Sequence, residues 1–281
     1  MLKKWILLLI GIVLVSLVSG CIAEKSPDDS KIGVVVTILP QEAFVKAVGG
    51  DHVDVTVMVP PGASPHTYEP TPGQLRDLEG ADIYFKVGSG VDFELDWMDK
   101  ITAMNPEMLV VDCSEGIAKI GDDPHIWNSP VNAKKMVENV CAGLIQVDPL
   151  NAAYYTANKD EYLRELDDLD GYIHARLDGF TNRAFMIYHP SFGYFADEYN
   201  LTQIAIADEG KEPTPQVMQS CIDNAERYNL SYVYVAPQFA TQHAETIAHE
   251  IGGEIVFIDP LDKNYIANMR SVAASLSLEM E

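Results

Sequence analysis

The sequence predicts an α/β protein of two lobes, each a mainly parallel sheet flanked by helices, joined by one long linking helix. Three observations carry that prediction. Short β-branched runs alternate with amphipathic stretches from Ile32 onward; two helical stretches, Pro130 to Val147 and Ala152 to Phe180, then follow with no strand between them; and a second set of alternations begins at Arg183. With 281 residues, 47 % of them hydrophobic, the chain can bury a sizeable core. The expected divisions are 1–21 as a leader, 22–31 as a tether, 32–150 as the N-terminal lobe, 151–181 as the linking helix and 182–281 as the C-terminal lobe. A single doubly wound domain is the competing architecture.

Met1-Leu2-Lys3-Lys4 is a cationic start, and the 14 apolar residues Trp5 to Val18 suit a signal-peptide core, since a membrane span takes about 20. Leu17-Val18-Ser19-Gly20-Cys21 places small residues directly before a cysteine and resembles the lipobox of secreted lipoproteins. That resemblance implies cleavage before Cys21, lipid on its sulfur and anchorage to the outer face of the cell membrane. Residues 22–31 (IAEKSPDDSK) are polar and aperiodic, as a tether should be. In the first lobe, Ile32–Ile38, Val53–Val59, Ala81–Val87 and Glu107–Asp112 read as strands, with helices at about 41–50, 73–79 and 91–103. In the second, RAFMIYH, LTQIAIA, SYVYVAP and EIVFID are the strands, with helices near 191–199, 214–229, 240–252 and 264–278.

Without the leader the chain carries 17 basic against 42 acidic side chains, a net charge of −25. Such a surface repels nucleic acid and anionic lipid and attracts cations, so no nucleic-acid partner is expected. The four cysteines include Cys21; Cys113, Cys141 and Cys221 show no CxxC spacing and read as small core residues. His243 and His249 sit six residues apart rather than the four of HExxH, and neither a Gly-rich phosphate loop nor GxSxG is present.

In open α/β sheets, ligands bind beyond the carboxyl ends of the strands. Four strong metal-ligand candidates fall at such ends: His66 after VDVTVMV, His125 within DPHIWN, His189 after RAFMIY, and Asp259 after EIVFI. They lie 59, 64 and 70 residues apart, two per lobe, so facing lobes would gather them in the cleft. Each also adjoins a proline: Pro65, Pro124, Pro190 or Pro260. Proline fixes φ and restricts its predecessor, so a side chain on such a loop loses less entropy on binding.

The segments VVVTILPQEAFVKAVGGDHVDVTVMVPPGASPHTYEPTPGQLRDLEGADIYFKVGSGVD, DPHIWNSPVNAKKMVENV, YHPSFGYFADEYNLTQIAI, VYVAPQFATQHAETIAHEIGG and FIDPL resemble the TroA/ZnuA-like metal-binding lipoproteins of ABC importers, from about Gly33 to the C-terminus. The resemblance implies an extracytoplasmic receptor that captures a divalent transition metal between its lobes and delivers it to a membrane permease driven by a cytoplasmic ATPase. It implies ligands at His66, His125, His189 and Asp259, no enzymatic activity, and action as a monomer. Ser114 to Asp123 (SEGIAKIGDD) lacks the long His- and acid-rich loop common among the zinc receptors, and His189 stands where manganese-type members often have glutamate.

Three imidazoles and a carboxylate suit tetrahedral zinc, and zinc stands well above manganese in the affinity series. A bidentate Asp259 would better tolerate Mn2+ or Fe2+, which remain the alternatives. Two readings compete from other classes: a zinc hydrolase with Glu69 as general base, and a surface adhesin using metal only for structure. Tyr68, Glu69, Trp127, Ser191 and Glu209 stand close in sequence to the ligands or strand ends and are the expected outer partners.

Overall fold

The computed structural model describes residues 31–207 and 212–280. The leader, Cys21 with its lipobox, the tether up to Ser30, and Glu209 lie outside the described residues. Among the described residues, eight strands form two parallel sheets of four. β1 (Ile32–Val36), β2 (Val53–Val57), β3 (Ile83–Lys86) and β4 (Leu109–Asp112) lie in the order β2-β1-β3-β4. β5 (Ala184–Ile187), β6 (Thr202–Ala205), β7 (Tyr232–Val235) and β8 (Glu254–Phe257) repeat that arrangement as β6-β5-β7-β8. The two-lobe expectation is therefore met, and the doubly wound single sheet is not.

The ladders are shorter than the apolar runs that announced them. The run through Val59 leaves its ladder after Val57, where Met58 N and Val59 N still donate to Val36 and Thr37 carbonyls at 2.9 and 3.0 Å before Pro60 turns the chain away. Proline has no N–H to continue a ladder, so the strand must stop there. Central strands are covered on both faces, which is why VVV and AFMI read as continuous rather than alternating hydrophobic segments.

The intervening helices are α1 (Leu39–Gly49), α2 (Pro72–Asp77), α3 (Asp92–Met104), α4 (Pro130–Val147), α5 (Ala152–Leu177), α6 (Gly193–Glu198), α7 (Pro215–Tyr228), α8 (Gln242–Glu250) and α9 (Tyr265–Met280). Three of them begin with the same device. Thr71, Ser129 and Thr214 each accept an N–H of the first turn, from Gln74, Asn132 and Val217, and each precedes a proline at the first helical position. Losing one such cap costs about 1 kcal/mol.

α5 is the linking helix. Its 26 residues rise about 39 Å and bury Tyr155, Tyr162, Leu166, Leu169, Ile173 and Leu177 along one stripe. α9 packs along α5 and returns to the first lobe, where Tyr265 meets Phe44 of α1 edge-on at 4.9 Å. One hydrophobic core thus runs from the first sheet through α1, α4, α5 and α9 to Phe185, Ile187 and Tyr234 of the second. A smaller cluster around Met186, Val233 and Ile247 covers the remainder of the second sheet. Cys113, Cys141 and Cys221 are buried free thiols within these cores.

Candidate metal centre

His66 stands on the loop between β2 and α2. That loop closes on itself: Thr67 N and Tyr68 N both donate to Ser64 O, and His66 N to Ser64 Oγ at 3.3 Å. It is then pinned to the start of α3, whose Phe93 N donates to Pro65 O at 3.0 Å while Asp92 Oδ2 lies 2.7 Å from His66 Nδ1. As the first residue of α3, Asp92 sits where the helix dipole favours negative charge. A carboxylate can only accept, so Nδ1 carries the proton, and the nitrogen left to offer a lone pair is Nε2.

His125 opens the 3-10 turn Ile126–Asn128 and is 4 % exposed. Its backbone N–H and its Nδ1 both meet Asp123 Oδ1, at 2.9 and 2.7 Å, which fixes the ring in the same tautomer. The second lobe approaches closely here. Tyr194 OH donates to Asp123 O at 3.3 Å, and a Cβ at Gly193 would lie 2.2 Å from Asp123 Oδ2, so only glycine leaves room for that carboxylate. Trp127, the neighbour of His125 in sequence, donates its Nε1–H to Pro260 O at 2.7 Å and accepts Tyr265 OH at its carbonyl, also at 2.7 Å. Asn128 Nδ2 donates to Ser191 O across the same seam.

His189 comes two residues after β5 and is 2 % exposed. Its ring stacks on Phe239 at 4.6 Å, and its Nδ1 is buried without a hydrogen-bond partner. Burial above all, with the neighbouring His125 and His66 adding to it, pushes its pKa down to about 2, so the ring is neutral throughout the ordinary pH range.

The three rings converge on their Nε2 atoms. His66 Nε2 lies 3.1 Å from His189 Nε2, which in turn lies 3.2 Å from His125 Nε2. Three nitrogens bound tetrahedrally to one zinc at about 2.0–2.1 Å would be about 3.3 Å apart. The chamber they line encloses about 10 Å³, room for one water-sized particle. Two of these nitrogens point lone pairs inward, and His189 has at most one proton to share between them. A cation at the centre turns that opposition into attraction.

Asp259 does not join this group. Its Oδ1 accepts from Gln238 Nε2 at 2.8 Å and from Leu261 N at 2.9 Å, and it faces the adjoining hollow lined by Pro61, Gly62 and Asp262. Among the expected outer partners, Trp127 meets His125 edge-on at 5.3 Å, and Ser191 donates its N–H to His189 O at 2.7 Å. Tyr68 donates instead to Gln74, and Glu69 is exposed and outside the chamber lining. His249 is exposed on α8, and neither it nor His243 joins the trio. The residues that sequence reasoning missed are Asp92, Asp123, Gln238 and Phe239. Asp123 was within reach, two residues before His125 in the DPHIWN motif; Asp92, 26 residues beyond its histidine, left no local signal.

Comparison with known proteins places these features in context. The family profile for "Zinc-uptake complex component A periplasmic" matches residues 34–278. The high-affinity zinc uptake system protein ZnuA of Bacillus subtilis is 29 % identical, over 93 % of this chain and 90 % of its own length. The manganese-binding lipoprotein MntA of Halalkalibacterium halodurans is 26 % identical, over 90 % of this chain and 88 % of its own. A crystal structure of ZnuA superposes with a TM-score of 0.87 at 38 % identity, covering 89 % of this chain and all of the other.

Proposed function

The chain belongs to the zinc-uptake component A family, and from that premise we propose that it captures zinc on His66, His125 and His189, with Asp259 as the fourth ligand, and hands it to a permease. As a member it is an extracytoplasmic, metal-binding component of an ABC importer and not an enzyme, so its functional partners are the importer's permease and ATPase. The hydrolase alternative also lacks its base, because Glu69 lies outside the chamber.

One observation carries the choice of site: three Nε2 atoms from two lobes, 3.1 and 3.2 Å apart in sequence of contact, around a space for one ion. The choice of zinc rests on donor chemistry. Neutral imidazoles are borderline-soft, favour tetrahedral zinc, and place manganese at the weak end of the series. Manganese or iron(II) is the alternative cargo, and it gains ground only if Asp259 binds through both oxygens. Lipid on Cys21 would hold the receptor beside its permease, and a monomer suffices because both lobes of one chain supply the ligands.

Titration calorimetry on the metal-free protein tests this reading. Zinc should bind the wild type, and His66→Ala combined with His189→Ala should abolish binding. Unchanged zinc affinity in that double variant overturns the site. Competition between zinc and manganese then identifies the cargo, and a preference for manganese overturns the choice of zinc while leaving the site intact.

A further inference from the structure

Gln238 occupies the partition between the imidazole chamber and the hollow that holds Asp259, and it lines both. Its Nε2 donates to Asp259 Oδ1, while its Oε1 is buried without a partner. The backbone around Asp259 is anchored on two sides, by Asn268 Nδ2 to Asp259 O at 2.6 Å and by Trp127 Nε1 to Pro260 O at 2.7 Å. Both hydrogen bonds to the carboxylate, from Gln238 Nε2 and Leu261 N, fall on Oδ1, so a turn of the side chain that carries Oδ1 toward the trio breaks the bond to Gln238. A buried orphan oxygen is itself costly, so the amide is held here for what its other end does.

We propose that Gln238 is a latch on Asp259, which withholds the fourth ligand from the three imidazoles and thereby sets how tightly the metal is kept. The inference rests on the reading of His66, His125 and His189 as the metal site. Binding starts on the three imidazoles, and the carboxylate joins only when its attraction to the cation exceeds its hold on the amide. A hydrogen bond to a charged group is worth about 1.5–3 kcal/mol, so the latch lowers zinc affinity by about tenfold or more relative to a site where Asp259 is free. A receptor must also release its cargo, and a latch that competes for the fourth ligand speeds that release.

The test is a double-mutant cycle on the full chain, with zinc affinity and zinc dissociation into a chelator as readouts. Gln238→Leu removes both polar ends at similar volume, and Gln238→Ala checks that the result does not depend on the leucine. Each is combined with Asp259→Asn, and thermal unfolding confirms that every variant folds. The expected result is tighter zinc binding and slower dissociation in both Gln238 variants, by about tenfold, with the gain lost when Asp259→Asn is added. The visible bands of the Co2+ complex, which report the ligand set, should shift further on Asp259→Asn when Gln238 is leucine than when it is glutamine. Weaker binding in the Gln238 variants overturns the latch and makes the amide a support for a bound carboxylate. Effects that simply add overturn it too. In either case the trio stands if His66→Ala still removes binding; loss of the latch result together with an indifferent His66→Ala would instead mean that the metal site itself is misplaced.

Discussion

The two lobes hold their ligands in different ways. In the first, His66 and His125 each rest on a carboxylate at 2.7 Å, Asp92 and Asp123, and each stands on a loop tied by backbone hydrogen bonds. In the second, His189 has a stacked ring for support and no partner at Nδ1, and Asp259 is turned toward Gln238. A carboxylate on the far nitrogen fixes the tautomer and raises the basicity of the nitrogen that faces the metal. Stacking fixes a plane and does little for basicity. The first lobe therefore presents two finished ligands, and the second supplies ligands that adjust.

The largest effect separating the lobes should come from the carboxylates. Asp92→Asn and Asp123→Asn each remove the negative charge behind an imidazole and allow the amide to donate to Nδ1, which would turn the proton onto Nε2. Each should lower zinc affinity by about 10–100-fold by calorimetry. Gly193→Ala should act through the same support: its new Cβ would press on Asp123 Oδ2 and swing that carboxylate from His125. The expected loss is roughly tenfold, at the lower end of the range for the direct substitutions. Affinity unchanged in all three would break the comparison, since the first lobe would then hold its rings no more firmly than the second.

On the other side, Phe239→Leu removes the ring beneath His189. An aromatic pair is worth about 0.5–1.5 kcal/mol beyond its buried area, so zinc affinity should fall only several-fold. A loss as large as that of Asp123→Asn would show that the second lobe's ligand is as rigidly prepared as those of the first.

The contrast also explains what could be read from the sequence. The parallel sheets were legible because their strands are buried on both faces and read as unbroken VVV, AFMI and YVYV segments between amphipathic helices. The three histidines were legible because each adjoins a proline on a loop beyond a strand, Pro65, Pro124 or Pro190, although only His189 lies within two residues of its strand. Their supports were not. Asp92 reaches His66 from a different helix, and Phe239 reaches His189 across a 50-residue separation that no periodicity encodes. The position of Asp259 was half legible: its place after β8 is a strand-end property, but its orientation is set by the N–H of Leu261 and by Gln238, on the loop after the neighbouring strand β7. Strand lengths were overestimated because hydrophobicity continues past the last paired residue into the loops that build the site, as at Met58 and Val59.

The smallest expected effect concerns what fixes Asp92 itself. Two residues further along the first turn of α3, buried Glu94 accepts Val87 N at 2.6 Å and Gly88 N at 2.9 Å, together with Thr37 Oγ1 at 2.5 Å, and so ties the start of that helix to the exit of β3. Burial raises its pKa above the usual 4.5, while the hydroxyl of Thr37 and the two backbone N–H groups pull it back only in part. A carboxyl whose folded pKa is raised binds more protons in the native state than in the unfolded one. Its contribution to stability is therefore complete below about 4.5 and is lost as pH rises through the folded value. Glu94→Gln keeps the shape and one of the two acceptor oxygens, sets an NH2 against the remaining backbone N–H, and removes the titration, so the pH dependence rather than the absolute stability is the readout. The melting temperature of the metal-free wild type should fall more steeply than that of the variant as pH is raised from 4.5, and zinc affinity should be nearly equal in the two. Parallel melting curves would show that Glu94 is ionised at no cost in its buried place. A large loss of zinc affinity in Glu94→Gln would show instead that this carboxylate is part of what aims Asp92 at His66.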